Sequence, residues 1–160
     1  MAEFDGVSEY LKAAIQRLED ALELLQPPTL HPNRSDAEIR HLRGAMYLAG
    51  YAIEFVLKVY IIRSFSVQTL AQAIRAAPRS KQTLMKRLNG ADGHNLRLLL
   101  SLTDLEPQMN TDRAAKRNWN LCLTWNVADR YNPVRVSEAE AKEFVEAVTQ
   151  FFAWMQRRVG

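Results

Sequence analysis

The sequence predicts an all-α fold, a helical bundle built around a long central helix, with a run of short helices after it. Three observations carry this. Apolar residues recur at three- and four-residue spacing through several long stretches, two capping-box patterns mark helix starts, and no alternation long enough to build a sheet occurs. A chain of 160 residues fits one domain, here 1–160, with an expected radius of gyration of about 15 Å.

The pattern centres on Ala45–Ile62, inside a helix expected from about Asp36 to Arg63. One face carries Ile39, Leu42, Met46, Ala49, Ile53, Leu57 and Tyr60; Leu48, Ala52, Phe55, Val59 and Ile62 fill much of the opposite one. A helix apolar on two sides belongs in the middle of a bundle. Its roughly 42 Å length spans the whole globule. A membrane crossing is disfavoured because Glu54 and Lys58 interrupt the run, each costing roughly 2.5 to 3.5 kcal/mol at mid-bilayer. These two residues stand four apart with the acid first, the order that stabilises a helix by roughly 0.2 to 0.5 kcal/mol. A sharper reading is that Glu54 is desolvated and meets a cation or donor from another helix, because an unpaired buried charge costs several kcal/mol. Arg130 and His94 are the candidates.

The first helix is expected over Val7–Leu25, with Leu11, Ile15, Leu18, Leu22 and Leu25 turned inward, and Pro27 and Pro28 end it. Ser35 and Glu38 form the capping box that starts the central helix. Beyond Arg63 the pattern breaks into short helices, Val67–Ala77 and Lys81–Leu88. Gly93-His94-Asn95-Leu96 then opens a helix of about ten residues with Leu96, Leu99, Leu100 and Leu102 inward. His94 at its amino end reads as a neutral capping or hydrogen-bonding group, since a helix amino terminus disfavours imidazolium. Another helix runs from Thr111 or Asp112 to Tyr131, stopped by Pro133, with Trp119, Cys122, Asn126 and Arg130 on one stripe. A second capping box, Ser137 with Glu140, starts the last helix, which reaches about Arg158 and turns Ala141, Phe144, Val148, Phe151 and Met155 inward.

Charge is unevenly spread. Residues 1–30 carry net −4 and residues 63–103 net +6, the latter from Arg63, Arg75, Arg79, Lys81, Lys86, Arg87 and Arg97 against Asp92 alone. The basic stretch is either a solvated face or a surface for an anionic partner. Cys122 is the single cysteine, so no internal disulfide forms, and the acidic start MAEFDG is unlike a signal peptide; a reducing, cytosolic location is expected. His31, His41 and His94 lack ligand spacing with each other or with Cys122, so neither a metal site nor a cofactor is expected.

Several strings, in this order, resemble the HEPN domain family: Tyr47-Leu-Ala-Gly-Tyr-Ala-Ile-Glu54 with Leu57-Lys58, then Gly93-His94-Asn95-Leu96, then Trp125 followed by Arg130-Tyr131-Asn132-Pro133. The resemblance covers about Asp36 to Val159. It implies an up-and-down bundle of four to five helices, HEPN-like and usually a homodimer, encoded in many cases beside a minimal nucleotidyltransferase as a prokaryotic toxin–antitoxin or defence pair. Many members are metal-independent ribonucleases marked by an Arg, a polar residue and a His four to six places on. Here Arg117-Asn118 begins such a motif, but Cys122 stands where the His would be, and no His follows Arg130. Matches at Arg34 to His41 and Arg87 to His94 lie on other elements. Metal-free RNA cleavage needs a proton acceptor and a group that stabilises phosphorane charge; Arg117 supplies the second alone.

Three functions follow. The first is association: a homodimer that also binds a nucleotidyltransferase-type partner or RNA, with no membrane role. The second is a ribonuclease with a variant site built from Arg117, Asn118 or Arg130. The third is a nucleotide pocket in which Trp119, Asn126 and Arg130 join Glu54 and Tyr51. Lys58, His94 and Tyr131 complete the expected ligand or RNA contacts.

Overall fold

A computed structural model describes residues 5–26, 41–131 and 134–159; the side chains of Arg130 and Val159 are outside that description. Among the described residues the fold is an all-α bundle of eight α-helices, with no strand beyond one isolated bridge, Gly6 to Thr69. The long elements are α1 (Val7–Leu24), α2 (Leu42–Ser64), α7 (Arg113–Cys122) and α8 (Glu138–Val159). Between α2 and α7 lie α3 (Leu70–Ala76), α4 (Arg79–Arg87), a 3-10 turn (Ala91–His94), α5 (Leu96–Ser101) and α6 (Leu105–Thr111), and a second 3-10 turn (Val127–Tyr131) follows α7.

The middle position of α2 follows from its composition. It packs most extensively against α1 and next against α8, which also carries α7, and twelve of its residues are buried. By length and composition α2 could cross a membrane, but 67% of its most apolar window is buried inside the bundle. The helix stops where Ser66 takes a left-handed φ of 54°. Ser66 N–H then donates to Arg63 O at 2.9 Å and Val67 N–H to Ile62 O at 3.5 Å, the paired closure that satisfies otherwise orphaned carbonyls. The expected start of α2 near Asp36, its Ser35–Glu38 box, the Pro27-Pro28 stop and Asn132-Pro133 lie outside the described residues.

Helix α1 keeps part of the expected face inward, with Leu11 and Leu25 packed against the core beside Leu18, but is rotated toward Tyr10 and its alanines. Tyr10, Ala14, Leu18 and Ala21 are buried, whereas Ile15 and Leu22 are 40% and 42% exposed. Ala14 and Ala21 on α1 and Ala45, Ala49 and Ala52 on α2 are fully buried. Small side chains let two backbones approach closely, and that contact outweighs the bulkier edge.

The single helix expected from Thr111 or Asp112 to Tyr131 is two pieces, α7 and the 3-10 turn Val127–Tyr131. Leu105–Thr111 is already helical; Asp112 then caps α7, its Oδ1 accepting from Ala115 N at 3.0 Å. The Ala115 N–H holds the Asp112 carboxyl below its usual pKa range, aided by the Trp154 indole. After Cys122 the chain breaks because Asn126 and Asp129 offer the backbone another arrangement. Asn126 Oδ1 accepts from Ala128 N at 2.8 Å, and Asp129 Oδ2 accepts from Asn126 N at 3.1 Å. The stripe expected to align Trp119 with Asn126 therefore does not exist. By contrast, the Ser137–Glu140 box forms in both directions, at 3.1 and 2.9 Å.

The break lets the Trp125 indole lie on α2, donating through Nε1 to Tyr47 O at 3.1 Å. Only glycine fits beneath it, because a Cβ on Gly50 would stand 2.1 Å from that nitrogen. Gly50→Ala is expected to displace the indole and destabilise the fold by about 1–3 kcal/mol despite better helix propensity. Urea unfolding followed by tryptophan fluorescence checks this; an unchanged midpoint would contradict the packing.

Candidate functional site

Glu54 is fully buried at the middle of α2, where the helix repeat aims it away from solvent. Both of its oxygens are used. Lys58 Nζ, one turn on, donates to Oε1 at 2.6 Å, and His94 Nδ1 lies 2.9 Å from Oε2. The expected helix pair and the expected partner from another element are thus both present; of the two candidates for that partner, His94 fills the place. Lys58 is itself buried, with its ammonium 5.5 Å from the centre of the Tyr10 ring, close enough for cation–π attraction.

His94 reaches Glu54 because Ala91–His94 forms a tight turn, and a Cβ on Gly93 would lie 2.6 Å from Leu88 O. Asn95, not His94, caps the following helix, its Oδ1 accepting from Leu98 N at 3.1 Å. That helix, α5, has six residues where about ten were expected. The ring nitrogen that carries the hydrogen is therefore set by the contact with the carboxylate and not by a helix terminus. An ionised Glu54 can only accept, so Nδ1 must carry the hydrogen. In the neutral ring Nε2 then keeps its lone pair. The imidazole is 41% exposed, and Tyr51 packs edge-on to it at 5.9 Å. Tyr51 in turn meets Trp125 edge-on at 5.2 Å and shares a 3.0 Å hydroxyl–hydroxyl hydrogen bond with Tyr47.

Beside His94 opens a cleft of about 310 Å³, bordered by Asn95, Arg97, Leu123, Trp125 and Asn126, at the lower end of the range for small-ligand sites. Asp92, the acid on its rim, is bonded to Arg87 at 2.9 Å. Arg97 and the two amide side chains supply donors, and His94 supplies a basic nitrogen. Such a set suits an anion that carries a hydroxyl or bound water beside it.

The structure brings Glu54, Lys58, His94, Tyr51 and Asn126 to this region and leaves other expected residues elsewhere. Trp119 is buried against Phe151 at 5.2 Å, so the expected pocket of Trp119 with Asn126 is absent and Trp125 takes the aromatic place. Arg117 and Asn118 border a separate groove of about 460 Å³ between α7 and α8, where Asn118 is buried and donates to Gln150 Oε1 at 2.9 Å. Tyr131 is 75% exposed at the end of the second 3-10 turn, and the Arg130 side chain lies outside the described residues. Cys122 is buried, which pushes its thiol pKa up to about 12; it supplies no thiolate near neutral pH. Among the described residues no three His, Cys, Asp or Glu side chains are grouped to hold a metal ion.

Sequence reasoning named Trp125 and Asn95 only within the resemblance and Arg97 only within the basic stretch, and did not place them at this cleft. The available signal was Gly50 within an otherwise bulky helix, which marks the close approach of another group. Comparison with protein-family models, with curated proteins and with solved structures finds no match.

The geometry gives a measurable tautomer. Imidazole ¹⁵N shifts of the neutral His94 ring should show Nδ1 protonated and Nε2 bare; the Nε2–H form would contradict the bond to Glu54.

Proposed function

We propose that this chain is a HEPN-like helical protein that works by association, as a homodimer that binds RNA through the exposed basic residues of α3 and α4 together with Arg63 at the end of α2 and Arg97 on α5. The observation that carries the reading is the exposure of that charge. Arg63, Arg75, Arg79, Lys86, Arg87 and Arg97 are exposed and Lys81 is half-buried, while the one acid of residues 63–103, Asp92, is bonded to Arg87. Charge of this kind neutralises phosphates and releases their counterions. Arg97, the last of these basic residues, also borders the His94 cleft, so a strand held by it lies beside a site able to read one unit of it. In this reading a nucleotidyltransferase-type partner and a toxin–antitoxin or defence setting supply the biological context.

A second reading, a ribonuclease with a variant site, is favoured by the Glu54–His94 pair. The expected Arg117–Asn118 route has no proton acceptor, because Cys122 is buried and Asn118 is bonded to Gln150. His94 supplies one. Its Nε2 would take the proton of the ribose 2′-hydroxyl, the 2′-oxygen would bond to phosphorus, the P–O5′ bond would break, and O5′ would leave with a proton from water. Arg97 would carry the added charge on the phosphoryl oxygens.

Fluorescence anisotropy with a labelled single-stranded RNA tests the first reading. Binding should weaken steeply between about 50 and about 200 mM salt. The Lys81→Glu, Lys86→Glu double variant should bind about tenfold or more weakly and lose less with added salt. Affinity indifferent to salt would contradict the phosphate-driven mode. Under the second reading, denaturing gels of the same RNA show cleavage by the unmodified protein that His94→Ala abolishes with binding retained; no cleavage by the unmodified protein ends that reading.

A further inference from the structure

The outer seam between α7 and α8 is not used by either reading. On α8 it presents Glu143, Glu146, Gln150, Ala153 and Arg157, spaced three and four apart and therefore on one face. Four of these are exposed and Ala153 is half-buried. Two grooves run along the seam, of about 460 and about 270 Å³, and they meet at Asn118 and Gln150, which border both. At that junction Asn118 Nδ2 donates to Gln150 Oε1 at 2.9 Å, and Gln150 Nε2 donates to Glu146 Oε1 at 3.0 Å. The groove walls also include the small residues Ala114, Ala147 and Ala153 beside Arg117, Leu121 and Trp154.

Charge along this face has a defined order. Glu143 lies seven residues before Gln150 and Arg157 seven after it, two turns or roughly 10.5 Å each way. The helix dipole accounts for Glu138 and Glu140 in the first turn and for Arg157 and Arg158 in the last. It does not account for Glu143 and Glu146, which lie beyond that turn. Nor do the two arginines behave alike. Arg158 stacks 3.9 Å from the Trp154 ring and donates to Trp154 O at 3.0 Å, while Arg157 borders the groove.

We propose that this seam is the contact between two copies of the chain, with their α8 helices antiparallel and the two-fold axis crossing at Gln150. It rests on the homodimer reading above and adds the surface and register. Antiparallel placement sets Glu143 of each copy opposite Arg157 of the other, and the two-fold makes that pairing twice. A parallel placement sets like charges opposite each other at both ends. The charge order thus selects one orientation as well as one partner.

Sedimentation or light scattering at micromolar concentration tests this. The unmodified protein should run at twice the 18.3 kDa chain mass. Glu143→Arg alone and Arg157→Glu alone should each shift it toward the single-chain mass, by a tenfold or greater loss of self-affinity, with helical circular dichroism unchanged. The variant carrying both substitutions should recover the dimer. An unmodified protein at the single-chain mass would overturn the homodimer reading and this surface with it. A dimer indifferent to both single substitutions would overturn the surface and leave the homodimer standing; failure of the double variant to recover would overturn the antiparallel register.

Discussion

A carboxylate with no solvent exposure stands at the centre of this bundle, and Glu54 can remain there as an anion only if its surroundings replace the water it has lost. The effective penalty for burying an ion is several kcal/mol even after relaxation. Here a lysine one turn away and an imidazole from a separate turn each take one oxygen, at 2.6 and 2.9 Å. That requirement reaches well beyond α2. Lys58 is held under α1 through Tyr10, and the turn at Ala91–His94 is fixed to the core helix by its last residue. Three parts of the chain distant in sequence are thus tied to one side chain.

The same face of α2 carries a second constraint. Gly50 leaves room for the Trp125 indole, whose N–H reaches Tyr47 O, and Tyr51 fills the angle between the indole and His94. The break after α7 is therefore part of the site, because it turns Trp125 onto α2 and leaves Asn126 at the cleft. An uninterrupted helix would have carried Asn126 along the line of Trp119 and away from His94. Packing on one small residue sets both the shape of the cleft and which of the tryptophans borders it.

Much of the architecture was legible in the sequence because it depends on local rules. The two-sided apolar run of α2, the Ser137–Glu140 box and the inward leucines of α5 all behave as their spacing implies. Two kinds of feature were not legible. Contacts between backbones, such as the alanines that rotate α1, leave little trace in a hydrophobic count. Competition between a continuing helix and the turn made by Asn126 and Asp129 is decided by tertiary contacts as well as by those side chains. The site was read in part: the charge argument at Glu54 pointed to His94, while the expectation for Trp119 depended on the unbroken helix and failed with it.

The most direct test of the account is a double-mutant cycle on Glu54 and Lys58, followed by chemical unfolding. Glu54→Met and Lys58→Met should each destabilise by about 3–5 kcal/mol, since each strands a buried charge, and the pair together should cost far less than the sum. Single effects that add to within about 0.5 kcal/mol would contradict the claim that these two groups are held ionised and paired at the centre of the bundle.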